Sequence, residues 1–192
     1  VGPRTWLAAR RADAATWTDE GRWWAPRALL LLVLAWLGWR HLTDPDYGSL
    51  FSGITLGVHE LGHLVLAPLG HWLGVAGGSL AQTLAPVAVA YGFLRQRDYF
   101  AIAVAGMWEA MSLSNLATYV ADARAEALPL VSPFSGEPEH DWHYLLSSVG
   151  MLRYDAHLAA AVRLAALAVL ACSLALGAWL CVRIARSRAA AA

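Results

Sequence analysis

The chain has 192 residues, 58% of them hydrophobic, with a mean hydropathy of +0.47 and only 15% charged, against about 25% charged in an ordinary soluble domain. Its 14 basic and 14 acidic residues cancel and every basic residue is an arginine, so no basic stripe is left for nucleic acid and that partner is excluded. The apolar residues fall in runs too long for a small soluble core, which makes an all-α helical bundle in a membrane the expected fold.

Residues 1–25 mix Arg4, Arg10, Arg11 and Arg22 with Trp6, Trp17, Trp23 and Trp24, a composition suited to an interfacial N-terminal helix among lipid headgroups. Residues 26–188 form the expected membrane domain, with about five hydrophobic segments. The first runs from Pro26 to Arg40, with tryptophans at both ends. The second, about Tyr47 to Leu69, is interrupted only by His59, Glu60 and His63, and Pro68, Gly70 and the Gly74–Gly78 cluster are expected to end it. The third, Leu80 to Leu94, holds Gln82 and Pro86; the fourth, Tyr99 to Ala121, holds Glu109 and Asn115. A polar connection, residues 122–155, leads to the fifth, about His157 to Ile184, and residues 189–192 are a tail. Cys172 and Cys181 both lie in that last run, at a spacing that matches no metal or redox motif.

Five crossings put the loops after the second and fourth segments on one face with the N-terminus. The opposite face then holds Arg40, Arg95, Arg97 and the C-terminal arginines, and the positive-inside tendency makes it cytoplasmic. The arginines of the N-terminal arm argue the other way. A second segment that is re-entrant rather than spanning removes the conflict.

His59-Glu60-Leu61-Gly62-His63 is an HExxH motif. On a helix it sets two imidazoles one turn apart on one face, ready to bind one Zn²⁺, with Glu60 beside them as a general base. Two histidines and a glutamate are costly to desolvate in an apolar span unless they serve a purpose. Catalytic zinc takes a third protein ligand. In the fourth segment Trp108, Ser112, Asn115, Tyr119 and Asp122 form one helical stripe, so Asp122 is the first candidate, with Asn115 and Tyr119 as supporting residues. The alternatives are His140 and Asp141 in the cluster Glu139-His140-Asp141-Trp142-His143. All of these belong to the face on which the motif helix ends, with His63 roughly 10 Å below it at ~1.5 Å per residue.

The motif in this setting is similar to the intramembrane zinc metalloproteases of the site-2 type, which cleave membrane-anchored substrates with two histidines, a glutamate and a distant aspartate. The blocks Val58 to His63, Gly77-Gly78-Ser79, Tyr119 to Arg124, Leu128-Pro129-Leu130 and His140-Asp141-Trp142 also resemble, in that order, an uncharacterised group of bacterial membrane proteins, over roughly residues 50–155. No Asn-Pro-Asp-Gly or Leu-Asp-Gly element supplies the aspartate of the site-2 type, so Asp122 matches it by role alone. The resemblance implies a zinc metallohydrolase of a bacterial inner membrane, most plausibly a peptidase acting on a membrane-anchored protein or peptide. Two further readings stay open: a hydrolase of lipids or other amides, and a non-catalytic accessory subunit of a larger membrane complex.

Overall fold

The computed structural model describes residues 2–20, 22–130 and 139–190. Part of the expected connection 122–155, the end of the expected tail 189–192 and the side chains of Arg4 and Trp6 lie outside the described residues. Among the described residues there are helices and turns and no strand: α1 (Pro3–Thr18), α2 (Trp24–Thr43), α3 (Leu50–Leu66), α4 (His71–Gln96), α5 (Tyr99–Ala121), α6 (Asp141–Ser148) and α7 (Asp155–Ala190).

Four segments, those built on α3, α4, α5 and α7, are long and apolar enough to cross a membrane. α2 spans 20 residues, but Trp36 and Trp39 interrupt its leucines and Arg27 and Arg40 flank them, and it is not among the four. Leu29, Leu32, Leu61, Val65, Leu84 and Leu164 point outward. So continuous an apolar exterior suits lipid and not water. Helices of this kind, when in lipid, are held by close packing and internal hydrogen bonds rather than by exclusion of water.

α5 is the hub, with 56% of its apolar window buried against 17% for the segment built on α3. Met107 and Met111 of α5 are fully enclosed and pack into a core shared with Leu34 of α2 and with Leu180 and Ile184 of α7. The Asp98 carboxylate starts α5 by accepting from the Ala101 N–H (3.1 Å).

Helix directions follow from paired contacts. Leu31 and Leu170 press on Gly177 and Gly38, so α2 and α7 are antiparallel. Arg27 lies over Phe100 and His41 bonds Asn115 (3.1 Å), so α2 and α5 run the same way. His63 meets Gly74 and His59 meets Gln82, so α3 and α4 are antiparallel. α4 and α5 are antiparallel through the turn at Arg97 and Asp98. α3 therefore points the same way as α5 and as α2, its immediate predecessor. Simple alternation predicts the opposite.

The six residues between α2 and α3 reach about 20 Å when extended, short of the about 30 Å of hydrocarbon that a full return would cross. Tyr47 packs back on His41 and Trp36 (ring centroids 5.2 and 6.0 Å), so the connection doubles down along α2. α3 starts partway down the bundle.

α1 packs at the end where α5 begins and α7 finishes, with Trp17 edge-on to Tyr99 (6.2 Å) and Arg188 over Trp23 (4.5 Å). The N-terminal arm thus lies at the end opposite the connection between α5 and α7, whereas five crossings would put them together. The Gly74–Gly78 cluster, expected to break the chain, lies inside α4. Gly62 and Gly77 let the backbones of α3 and α4 touch there: a Cβ on either would strike the carbonyl oxygen of the other.

Candidate metal centre

α3 carries His59 and His63 on the face turned to α4, and their Nε2 atoms lie 3.0 Å apart. Asp141, the first residue of α6, completes the group, its Oδ2 3.0 Å from His59 Nε2 and 3.2 Å from His63 Nε2. These three side chains, two of them buried, can hold a metal ion.

The outer nitrogens decide what the inner ones can do. His63 Nδ1 donates to the Gly74 carbonyl (2.9 Å) and His59 Nδ1 to Gln82 Oε1 (2.8 Å). Both acceptors fix the proton on Nδ1, and the Gly74 carbonyl is backbone that cannot reorient. The two Nε2 lone pairs then face each other and a carboxylate oxygen. Three electron-pair donors at this separation repel unless a proton on one Nε2, donated to the carboxylate, or a metal ion in its place lies between them. Their 3.0–3.2 Å spacing is close to the about 3.3 Å between neighbouring ligands of a tetrahedral ion with ~2.0 Å bonds. Carbonyl partners on the outer nitrogens are the usual support for metal-binding histidines.

Gly78 supplies the room. A Cβ there would sit 2.5 Å from His59 Nε2 and 2.6 Å from His63 Nε2, so α4 presents bare backbone to the ligand atoms. Ser112 Oγ of α5 donates to the Gln82 carbonyl (2.9 Å), tying α4 to the hub at the level of the site.

α6 is set by several contacts. His140 caps it, Nδ1 accepting from the His143 N–H (3.2 Å). The Asp141 N–H donates to the Tyr119 hydroxyl (3.0 Å), and Trp142 Nε1 donates to Ser79 Oγ (3.1 Å). Leu145 packs on Val75 and Ala76. Burial works to raise the Asp141 carboxyl, but its contacts with His59 and His63 hold it below the usual carboxylate range, so it is an anion at neutral pH.

Asp122, the first-ranked ligand from the sequence, lies outside the group. Its oxygens accept from the Ala127 and Leu128 N–H groups (both 3.0 Å), and Oδ2 lies 3.3 Å from His140 Nε2 without hydrogen-bond alignment. Burial works to raise its carboxyl, but the Leu128 and Ala127 amides, with His140, hold it below the usual range. His140, the other alternative, is likewise not in the group: its ring is buried against Tyr119 (centroids 4.4 Å). Of the two supporting residues, Tyr119 is at the site and Asn115 is not. Asn115 bonds His41, which also reaches Ser49 Oγ (2.8 Å) and so ties α2 to the start of α3. Glu60 is half-buried and near enough to His63 and Tyr119 to act on both through its charge.

The sequence reading missed Gln82 and Gly78 as parts of the site. Gln82 carried a usable signal, since an amide in an apolar span needs a partner. Comparisons with protein-family models, with curated proteins and with solved structures give no match.

Proposed function

We propose that the chain is an integral membrane zinc metallohydrolase, most simply a peptidase acting on a membrane-anchored protein or peptide. The observation that carries this reading is the convergence of His59, His63 and Asp141 on the space left by Gly78, with Glu60 next in the chain to one ligand. A two-histidine, one-carboxylate set with room for a fourth position is a usual catalytic zinc arrangement. When bound, the ion supplies the acidity that makes water a nucleophile near neutral pH. Glu60 takes the proton of the attacking water. Tyr119, whose hydroxyl accepts from the Asp141 N–H, keeps its own proton to offer an oxygen of the substrate.

In this reading α2, α4, α5 and α7 cross the membrane, α3 is re-entrant and α1 lies in the interface. The helix directions support it. They gather the N-terminal arm, the turn between α4 and α5 and the end of α7 at one end. Of the 14 arginines, only Arg40, Arg124, Arg153 and Arg163 belong to the other. The positive-inside tendency then makes the arginine-rich end cytoplasmic, and the metal centre opens toward the outer face of a bacterial inner membrane.

The test is zinc content and hydrolysis of membrane-anchored substrates by protein in vesicles, for the wild type and for Glu60→Gln. The expected result is about one zinc per chain in both and turnover only in the wild type, because the amide keeps shape and loses basicity. Equal turnover in Glu60→Gln, or no zinc in chelator-free wild type, overturns the reading.

A further inference from the structure

Because α3 starts partway down the bundle, the space beneath its first turn is not filled by protein. A cavity of about 300 Å³ lies there, among Leu30 of α2, Phe51 of α3, Val89 and Phe93 of α4, and Val104 and Trp108 of α5. Its walls are apolar except at one end, where Arg27 and Asp98 line it.

Its length is informative. From Asp98 to Trp108 the wall rises by ten residues of α5, about 15 Å. That is one leaflet of a hydrocarbon core about 30 Å thick. The charged end lies with the arginine-rich turn between α4 and α5, and Trp108 closes the other end by donating to Thr55 Oγ1 (3.1 Å).

The charged end is built for a headgroup. Arg27 donates to the Trp23 carbonyl (2.7 Å) and lies over the Trp17 and Phe100 rings (5.7 and 5.8 Å). No carboxylate among the described residues pairs with it at ion-pair distance. Asp98 spends one oxygen on the Ala101 N–H and also forms no ion pair among the described residues. A cation and an anion on one rim complement a phosphate and an ammonium.

We infer that this slot is a phospholipid site: one acyl chain lies along Phe51, Val89 and Val104, and a zwitterionic aminophospholipid headgroup sets its phosphate on Arg27 and its ammonium toward Asp98. The lipid takes the place that a full-length third helix would fill, and supports the re-entrant segment from below. The inference rests on the chain's being embedded in a membrane and not on the metal centre, which lies at the other end of α3.

The experiment is native mass spectrometry of full-length protein in mild detergent, after exchange with phosphatidylethanolamine, phosphatidylglycerol or diacylglycerol, with thermal unfolding beside it. The wild type is expected to retain one phosphatidylethanolamine, to retain phosphatidylglycerol less and to lose diacylglycerol. Arg27→Gln is expected to lose the lipid and Arg27→Lys to keep it. Asp98→Asn, which still caps α5, is expected to lose the preference between the two phospholipids. Val89→Trp, at a partly exposed wall position that can take a large side chain, is expected to empty the slot while leaving metal content unchanged. Equal retention of diacylglycerol, or full retention in both Arg27→Gln and Val89→Trp, overturns the proposal. Absence of zinc from all of these proteins overturns the hydrolase reading and leaves this one standing.

Discussion

Gly78 and His59 belong to different helices, and a Cβ on Gly78 would fall 2.5 Å from the His59 Nε2 atom. The atoms in the way are the tips of side chains that can swing aside, so Gly78→Ala should keep the fold and push both imidazoles off the metal. The expected outcome is unchanged helicity by circular dichroism with loss of most bound metal by elemental analysis. Gly62→Ala makes the contrast, because there the Cβ meets the backbone carbonyl of Gly77, which cannot move without separating α3 from α4. That variant should lose thermal stability as well as metal. A Gly78→Ala protein with full metal content would show that the ion, if any, is not held where the three donors converge.

Gln82 should matter to the metal without touching it. Its side-chain oxygen accepts from His59 Nδ1 (2.8 Å), fixing the tautomer that leaves Nε2 free. Gln82→Leu is expected to weaken metal affinity about 10–100-fold, the usual cost of losing such a partner. Ser112→Ala should have a smaller effect, because Ser112 acts one bond further out, on the Gln82 backbone carbonyl. Competition with a metallochromic chelator measures both, and equal affinities in Gln82→Leu and wild type would remove Gln82 from the site.

The helical class, most segment positions, the pair His59 and His63, and the face on which the third donor lies were legible in the sequence because each follows from a period or a run. Asp122 ranked above Asp141 because it closes the polar stripe of α5. What displaces it is the turn after α5, where Glu126 takes φ 47° and the chain curls so that two backbone amides claim the carboxylate. No side-chain pattern announces that. Gly74 to Gly78 read as a break because glycine ends helices in water, whereas in a membrane helix small residues mark close approach. The sequence leaves a spanning and a re-entrant second segment both open and does not give the parallel course of α2 and α3. Only the fold-back of Tyr47 onto His41 and Trp36 distinguishes it, and that contact depends on tertiary structure.

Asp122 gives a pH dependence with a definite sign. Its folded-state pKa is depressed: burial opposes this, but the Leu128 and Ala127 amides and His140 outweigh it. The stability it contributes is therefore full above the unfolded-state value, about 3.9, and is lost as pH falls through the lower folded-state value. Hydrogen exchange at Ala127 and Leu128 should stay protected from neutral pH down to about 4 and lose protection below it. Asn at this position has one acceptor oxygen for two amides that use both Asp122 oxygens, so Asp122→Asn should be less protected already at neutral pH, with a flatter pH profile. Its metal affinity should stay close to that of the wild type, in contrast to the loss in Asp141→Ala. Complete metal loss in Asp122→Asn would reassign it as a ligand.

The course of α3 can be tested without any assumption about the metal. Take single cysteines at Glu20, Asp46, Arg97 and Glu126, in a background where Cys172 and Cys181 are alanine, and label sealed vesicles with a membrane-impermeant thiol reagent. If every hydrophobic segment crossed, the connection at Asp46 would share a face with the turn at Arg97, and Glu20 would share one with Glu126. The observed directions pair them the other way. α2 runs parallel to α3 and α5, so Asp46 and Glu126 belong to one end, with Glu20 and Arg97 at the other. The pairing is independent of vesicle orientation, since only which sites label together is read. A cysteine at Phe51 adds the depth: at the start of α3, beside Val89 and Val104 in the apolar slot, it should resist the reagent from both sides while Asp46→Cys is labelled from one. Labelling of Asp46→Cys together with Arg97→Cys would make α3 an ordinary crossing helix, and the slot beneath it would then have to be filled by protein rather than by lipid.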